Sequence, residues 1–239
     1  MSSASSSRRP SRASFAVCLA LALLAWTGAA RAEAATSTVP AAGHIDWAQV
    51  VVRAKPSKEA ARIAVLSQFE PDFMPRVVLA LGVRLDKHGR PAWYRLSLPG
   101  RPNGRSGWVP AASVTVKPVR KEIVIDRSER TLELRDAGRV VLRTRVAVGA
   151  YGMETPLGVF YVVAKYRPSV SYLGEFAFET SAYSKLSEWP GGGIVGIHGT
   201  NAPSLLGQAV SHGCIRVANE AILRLRSRVP VGTPIRIVD

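Results

Sequence analysis

From about Ile45 to its end this chain is written in short apolar runs, each about a strand long and each cut off by turn residues. Val50-Val51-Val52, Val77-Val78-Leu79 and Trp93-Tyr94-Arg95-Leu96 are separated by Lys87-His88-Gly89 and Pro102-Asn103-Gly104. Such spacing predicts a small β-barrel over 45–117. A second set of runs begins near Lys121: Ile123–Ile125, Thr131–Leu134, Val140–Val148, Val159–Ala164, Ile194–His198 and Thr233–Val238, with Arg135-Asp136-Ala137-Gly138 as a turn. Their pattern predicts a β-sandwich. One helical stretch interrupts it, with Asn219 as N-cap, Ile222, Leu225 and Val229 at helical spacing, and Pro230 as the stop. The expected fold class is therefore all-β dominated, a small barrel followed by a sandwich with one C-terminal helix.

The first thirty-odd residues follow a different rule. Arg8, Arg9 and Arg12 precede an apolar run from Phe15 to Trp26, and small residues end in Ala30-Arg31-Ala32. A basic start, a short apolar centre and an A-x-A site make a secretory signal peptide over 1–32, followed by an Ala/Thr/Ser-rich linker over 33–44. The run falls short of the roughly 20 residues that span a bilayer. An uncleaved anchor is the lesser alternative. The expected location is extracytoplasmic, in the periplasm or cell wall. Cleavage after Ala32 removes four arginines and no acid, so the formal charge falls from +15 to +11. So basic a surface favours anionic neighbours such as wall polymers. Export, and the lack of a long basic run, exclude nucleic acid as the expected partner.

Cleavage also removes Cys18 and leaves Cys214 as the one cysteine. A single cysteine is usually a small buried hydrophobe. Here His198 and His212 lie within the same seventeen residues, and an unpaired thiol beside imidazoles in an exported chain is a candidate nucleophile. A thiol attacks a carbonyl as thiolate, and an imidazole can take its proton and return one to the leaving amine. Gly213 permits close backbone approach, and the N–H groups of Gly213 and Cys214 are candidates to face an oxyanion. Arg216, two residues on, falls on the side of the cysteine in an extended chain, where it can pair with a substrate carboxylate. Two histidines and one cysteine lack a fourth ligand at zinc-finger spacing, so no metal is expected.

Residues 193–219, GIVGIHGTNAPSLLGQAVSHGCIRVAN, resemble the signature of the YkuD-type L,D-transpeptidase family: His-Gly-Thr, a spacer, Ser-His-Gly-Cys-Ile-Arg and a downstream Asn. Thr155-Pro156-Leu157-Gly158-Val159-Phe160 and VPVGTPIRI at 229–237 resemble two further family segments, and Val217 stands where Leu or Met is usual. The likeness covers 120–239. Upstream, VVRAKPS and WYRLSLPGRPNGRSGWVPAASV, carried by Trp93 and Gly107-Trp108-Val109, resemble a bacterial SH3-like domain over 45–117.

The transpeptidase resemblance implies Cys214 as nucleophile and His198 as base or ion-pair partner, with the Gly199 carbonyl orienting the imidazole. His212 is the weaker candidate for base. Ser211 and Thr200 are implied as supporting polar groups, and Arg216 and Asn219 as loop-fixing or substrate-binding. The implied reaction forms 3→3 cross-links between peptidoglycan stem peptides through a thioacyl enzyme. It needs no cofactor, because the amide consumed supplies the energy. The same chemistry with water is an L,D-carboxypeptidase, and with a protein lysine it anchors a lipoprotein. A wall-binding protein without catalysis is a second alternative. Carbapenem-type inhibitors are expected ligands, and a monomer is expected. Every member of the reactive cluster lies beyond residue 190, so the chemistry is expected to reside in 120–239 alone.

Overall fold

The computed structural model describes residues 39–188 and 191–239. The segment read as a signal peptide, and the start of the linker, lie outside them. Two sheets account for the described strands. The first contains β1 (Ala41–Ile45), β2 (Gln49–Arg53), β3 (Arg62–Ser67), β4 (Val77–Leu85), β5 (Pro91–Ser97), β6 (Ser106–Pro110) and β7 (Val114–Pro118), in the order β3-β2-β6-β5-β4-β1-β7. Every pairing in it is antiparallel. Alternate residues such as Val50 and Val52, Val78 and Ala80, and Leu96 and Val109 turn inward and make a core of their own. One boundary differs from the sequence reading. Ala41–His44 were assigned to the linker, yet they pair with β4 on one side and β7 on the other. An Ala-Ala-Gly-His stretch carries little β-propensity, and its two neighbours make it a strand.

The second sheet is built from β8 (Lys121–Asp126), β9 (Thr131–Asp136), β10 (Arg139–Gly149), β11 (Gly158–Tyr166), β12 (Ala177–Tyr183), β13 (Ile194–His198), β14 (Ala209–Ser211), β15 (Ile215–Val217) and β16 (Pro234–Val238). Two long strands serve both layers of the sandwich. β10 pairs with β9 through residue 145 and with β15 from Val146 on; β11 pairs with β16 at 158–161 and with β12 at 162–166. Exposure along β10 changes accordingly, from mostly open over 139–145 to fully covered over Val146–Gly149. Between the layers lie Ile123, Ile125, Leu132, Leu134, Phe160, Val162, Phe178, Ile197 and Ile215. Arg135 and Asp136, expected in a turn, still pair in β9, and the reversal is made by Ala137 and Gly138, both at positive φ as a tight hairpin turn requires.

The helix α1 (Asn219–Arg226) closes the core with Ile222 and Leu225, three residues apart on one face. Glu220 in its first turn and Arg224 and Arg226 in its last suit the helix dipole. Its N-cap is Ala218, which supplies no side-chain bond. The expected capping role of Asn219 is therefore corrected: Asn219 is the first helical residue, and its amide is used elsewhere. At the other end, Lys165 Nζ donates to the carbonyls of Arg226 and Val229, each at 2.8 Å, satisfying acceptors the helix leaves over.

The two sheets also share contacts. Tyr161 of β11, wholly buried, donates its hydroxyl to the Val77 carbonyl of β4 at 3.2 Å. Asn103, between β5 and β6, donates to the Tyr183 carbonyl at 2.7 Å and accepts from its N–H at 3.0 Å.

Candidate functional site

Strand register decides what faces what. β13 and β15 run parallel, with Ile197 opposite Ile215 and His198 opposite Arg216. Ile197 and Ile215 point into the core and are fully buried. Their neighbours along each strand point to the other face, so Cys214, His198 and Arg216 share that face with Gly196. Gly196 donates its N–H to Cys214 Sγ at 3.3 Å. A methyl group placed on Gly196 would touch His198 Cδ2 at 3.8 Å and Cys214 Sγ at 4.0 Å. The thiol and the imidazole therefore flank a position that carries no side chain.

His198 is 4% exposed, and its Nδ1 lies 2.6 Å from the Gly199 carbonyl oxygen. That oxygen only accepts, so Nδ1 carries the proton and Nε2 is left as an acceptor. Burial lowers the imidazole's affinity for a second proton to a pKa of about 4; the Gly199 bond opposes this and the Arg216 charge adds to it. Burial also raises the Cys214 thiol above its ordinary value, against the Gly196 N–H and Arg216, which both favour thiolate. Near pH 7 both groups rest neutral. The ion pair that the sequence left open is thus not the resting state.

The turn carrying Cys214 is fixed from within. Ser211, 1% exposed, donates to the Cys214 carbonyl at 2.5 Å and accepts from Gly213 N–H at 3.1 Å. Ser211 is accordingly a clamp inside the turn. The Gly213 N–H, expected toward an oxyanion, is committed to that clamp. Gly213 has φ 113°, and any side chain on it would run into Ser184 Cβ at 2.9 Å. Thr155, fully buried, accepts from Gly149 N–H at 3.0 Å and donates to the Gly213 carbonyl at 2.9 Å. His212 sits half-buried in the same turn and has interactions of its own.

The turn after His198 is held by Asn219. Its Oδ1 accepts from Thr200 N–H at 3.2 Å and Glu175 N–H at 3.1 Å, and its Nδ2 donates to the Thr200 carbonyl at 3.1 Å. Thr200 is buried and its hydroxyl accepts from Ala202 N–H at 3.0 Å. Asn219 thus fixes the loop, the first of the two roles left open for it, and Thr200 is a supporting polar group within it. Arg216 alone of that group stands half-buried beside the thiol, with no hydrogen-bond or ion-pair partner among the described residues.

A residue from the β5–β6 connection of the first sheet reaches the same neighbourhood. Arg101 Nη2 donates to the carbonyls of Ser184 at 2.9 Å, Gly192 at 2.9 Å and Leu186 at 3.3 Å, and its guanidinium lies 5.0 Å from the Tyr183 ring centre. It grips the β12–β13 hairpin whose Ser184 packs on Gly213. A cavity of about 780 Å³ opens beside this grip, lined by Arg101, Asn103, Thr155, Tyr183 and Lys185 among others. The sequence reading missed Gly196, Thr155 as a brace, and Arg101. Only Thr155 had a signal, the Thr-Pro segment; Arg101 lies 83 residues from Ser184 and nothing local announces it.

A β-sandwich domain with a cysteine and a histidine on neighbouring parallel strands is what the fold and site define. The YkuD family model, described as the L,D-transpeptidase catalytic domain, matches residues 120–237, and that segment is a domain of this family. Over 115 residues the chain is 39% identical to "Putative L,D-transpeptidase YkuD" of Bacillus licheniformis and 35% identical to the protein of that name in Bacillus subtilis. In both cases the match covers 48% of this chain and 64% of the relative, so the chain spans under two thirds of either. Among solved structures, L,D-transpeptidase 3 from Mycobacterium tuberculosis overlaps 85% of this chain and 98% of its own, at 16% identity and a TM-score of 0.46. That likeness is too loose to carry residues across.

Proposed function

We propose that this protein is a cell-wall L,D-transpeptidase acting outside the cytoplasm, with Cys214 as nucleophile and His198 as its base. The observation that carries the reading is the placement of Cys214 Sγ and the His198 imidazole on either side of Gly196. Sγ attacks the carbonyl between the third, L-configured centre of a tetrapeptide stem and its terminal D-alanine. The thiol proton passes to His198 Nε2 and on to the departing nitrogen as the C–N bond breaks. A thioester remains on Cys214. A primary amine of a second stem attacks that carbon, the C–S bond breaks, and the proton lost by the amine restores the thiol. The product is a 3→3 cross-link.

The resting neutral pair supports this order of events. Sγ loses its proton in concert with binding rather than standing as an exposed thiolate, which suits a lone cysteine in an oxidising compartment. Arg216, on the same face and without a side-chain partner among the described residues, is suited to a stem carboxylate. The basic chain suits an anionic wall. The first sheet serves as an SH3-like wall-binding or spacing unit in the same proposal.

The test incubates the protein with a disaccharide-tetrapeptide and weighs the products. Cross-linked dimer with free D-alanine, absent from Cys214→Ala, is expected. Tripeptide alone would make the protein a carboxypeptidase, and unchanged substrate would overturn the reading. A carbapenem supplies a strained acyl bond to the same thiol, so intact mass should show one added drug molecule on the wild type and none on Cys214→Ala.

A further inference from the structure

The face that holds the thiol continues across two more strands. In one row across it stand Ala164 of β11, Glu179 of β12, Gly196 of β13 and Cys214. In the next row stand Tyr166, Ala177, His198 and Arg216. Phe178, between the rows, is fully buried in the core, so Glu179 points to the side of the nucleophile. Two strand spacings separate Glu179 from Cys214, about 9–10 Å between Cα atoms. Only Gly196 lies between them, and it has no side chain to block the line. A thioester carbonyl on Cys214, with an amine approaching it, fills about that gap.

Among the described glutamates that are not fully exposed, Glu179 also stands apart in how it is satisfied. In a chain with 32 basic residues and 17 acidic ones, Glu70, Glu122, Glu133 and Glu154 each meet a guanidinium or an ammonium. Glu179 is half-buried and has no hydrogen-bond or ion-pair partner among the described residues. Burial raises its affinity for a proton, and the like charges of Glu70 and Asp72, from the first sheet, add to that. A carboxylate so placed gains most from a cation brought by something else. Tyr166, in the neighbouring row, is raised by burial, with the charges of Glu179 and Cys214 adding to it.

Resting on the transpeptidase reading above, we infer that Glu179 is a specificity residue for the second half-reaction, drawing the ammonium of the acceptor stem to the thioester in preference to water and taking its extra proton, so that the freed neutral amine attacks. Arg216 and Glu179 then divide the face by charge, an arginine near the thiol for a carboxylate and a carboxylate across Gly196 for an ammonium. Water, which carries no charge, gains only an ordinary hydrogen bond from Glu179, weaker than the charge-assisted bond an ammonium makes. The partition of the acyl enzyme between cross-link and hydrolysis is set there.

The test compares the full chain with Glu179→Gln, which keeps the volume and removes the charge, on a disaccharide-tetrapeptide with products weighed by mass spectrometry. The ratio of dimer to hydrolysed tripeptide should fall about tenfold, the scale of one lost ion pair to a ligand. Acyl-enzyme capture of hydroxylamine, uncharged near pH 7, should not change. Glu179→Asp should recover part of the ratio, which a mere packing defect would not explain. Normal acylation with an unchanged ratio overturns this inference alone. Failure of both proteins to acylate removes the transpeptidase reading, and this inference with it.

Discussion

The two sides of the site are held in different ways. The histidine side is fastened within its own domain, where Asn219 makes three hydrogen bonds that tie the turn after His198 to the start of α1 and to Glu175. The cysteine side is fastened partly from outside. Ser211 and Thr155 fix the turn internally, but the hairpin packed on Gly213 is gripped by Arg101 and Asn103 of the first sheet. His198 is thus held by its own domain alone, whereas Cys214 is held by both regions. Both residues sit beyond residue 190, yet not everything that positions them does.

The largest effect comes from removing the reacting atoms, and it should not distinguish the two sides. Cys214→Ala should leave the fold intact and reduce turnover more than about a hundredfold. His198→Ala should slow thiol acylation more than His212→Ala, measured by stopped-flow acylation with a carbapenem. If removing His212 does the greater damage, the base has been assigned to the wrong ring. Deleting residues before about 118 belongs in the same class. It uncovers Tyr161 and frees the hairpin, so melting temperature and turnover on a soluble tetrapeptide should both fall. Full activity in that fragment would break the comparison.

A second measurement isolates the histidine side. His198 in the folded chain titrates at about 4, below the ordinary value near 6.5, so on acidification the unfolded chain takes up the proton first. The stability it contributes is complete above about pH 6.5 and is lost progressively toward pH 4. The whole difference is on the order of 3 kcal/mol. Denaturant unfolding of wild type and His198→Gln across that window should show a slope in the first and a smaller one in the second. Equal slopes would mean that the buried imidazole is not what titrates.

Which of these features the sequence announced follows from how far each one reaches along the chain. Strand positions such as Ile194–His198 were readable because alternation is local, and the pairing that sets Cys214 beside Gly196 extends directly from it. Asn219 was misread because its sequence context, polar before an apolar run, is that of an N-cap; its amide goes instead to backbone 19 and 44 residues away. Gly213 N–H was placed toward an oxyanion on the same kind of local reasoning, and a serine two residues earlier takes it. Ala41–Ile45 lacked the residues that mark a strand and became one because β4 and β7 flank it. Misreadings of this kind share one cause, a polar group or a weak strand whose partner lies far along the chain.

The smallest expected effect sharpens the comparison most, because it should touch one side only. Arg101→Ala removes three bonds to the carbonyls of Ser184, Leu186 and Gly192 and leaves them to water. No group of the catalytic turn is deleted, so the loss is of position rather than chemistry. A charged donor bonded to backbone is worth roughly 1.5–3 kcal/mol, and solvent replaces part of it, so turnover should drop about tenfold. The acidic limb of the pH–rate profile, which the proposal assigns to His198, should stay where it is, because Asn219 and the Gly199 carbonyl are untouched. Thiol alkylation should change instead, since Ser184 no longer presses on Gly213 and the cover over Sγ loosens. Arg101→Lys keeps the charge and should recover only part of the rate, because its ammonium ends one bond short of the Nη2 that reaches the three carbonyls and it loses the guanidinium face over the Tyr183 ring. A shift of the acidic limb in Arg101→Ala would show that the first sheet governs the histidine as well, and the division between the two sides would fall.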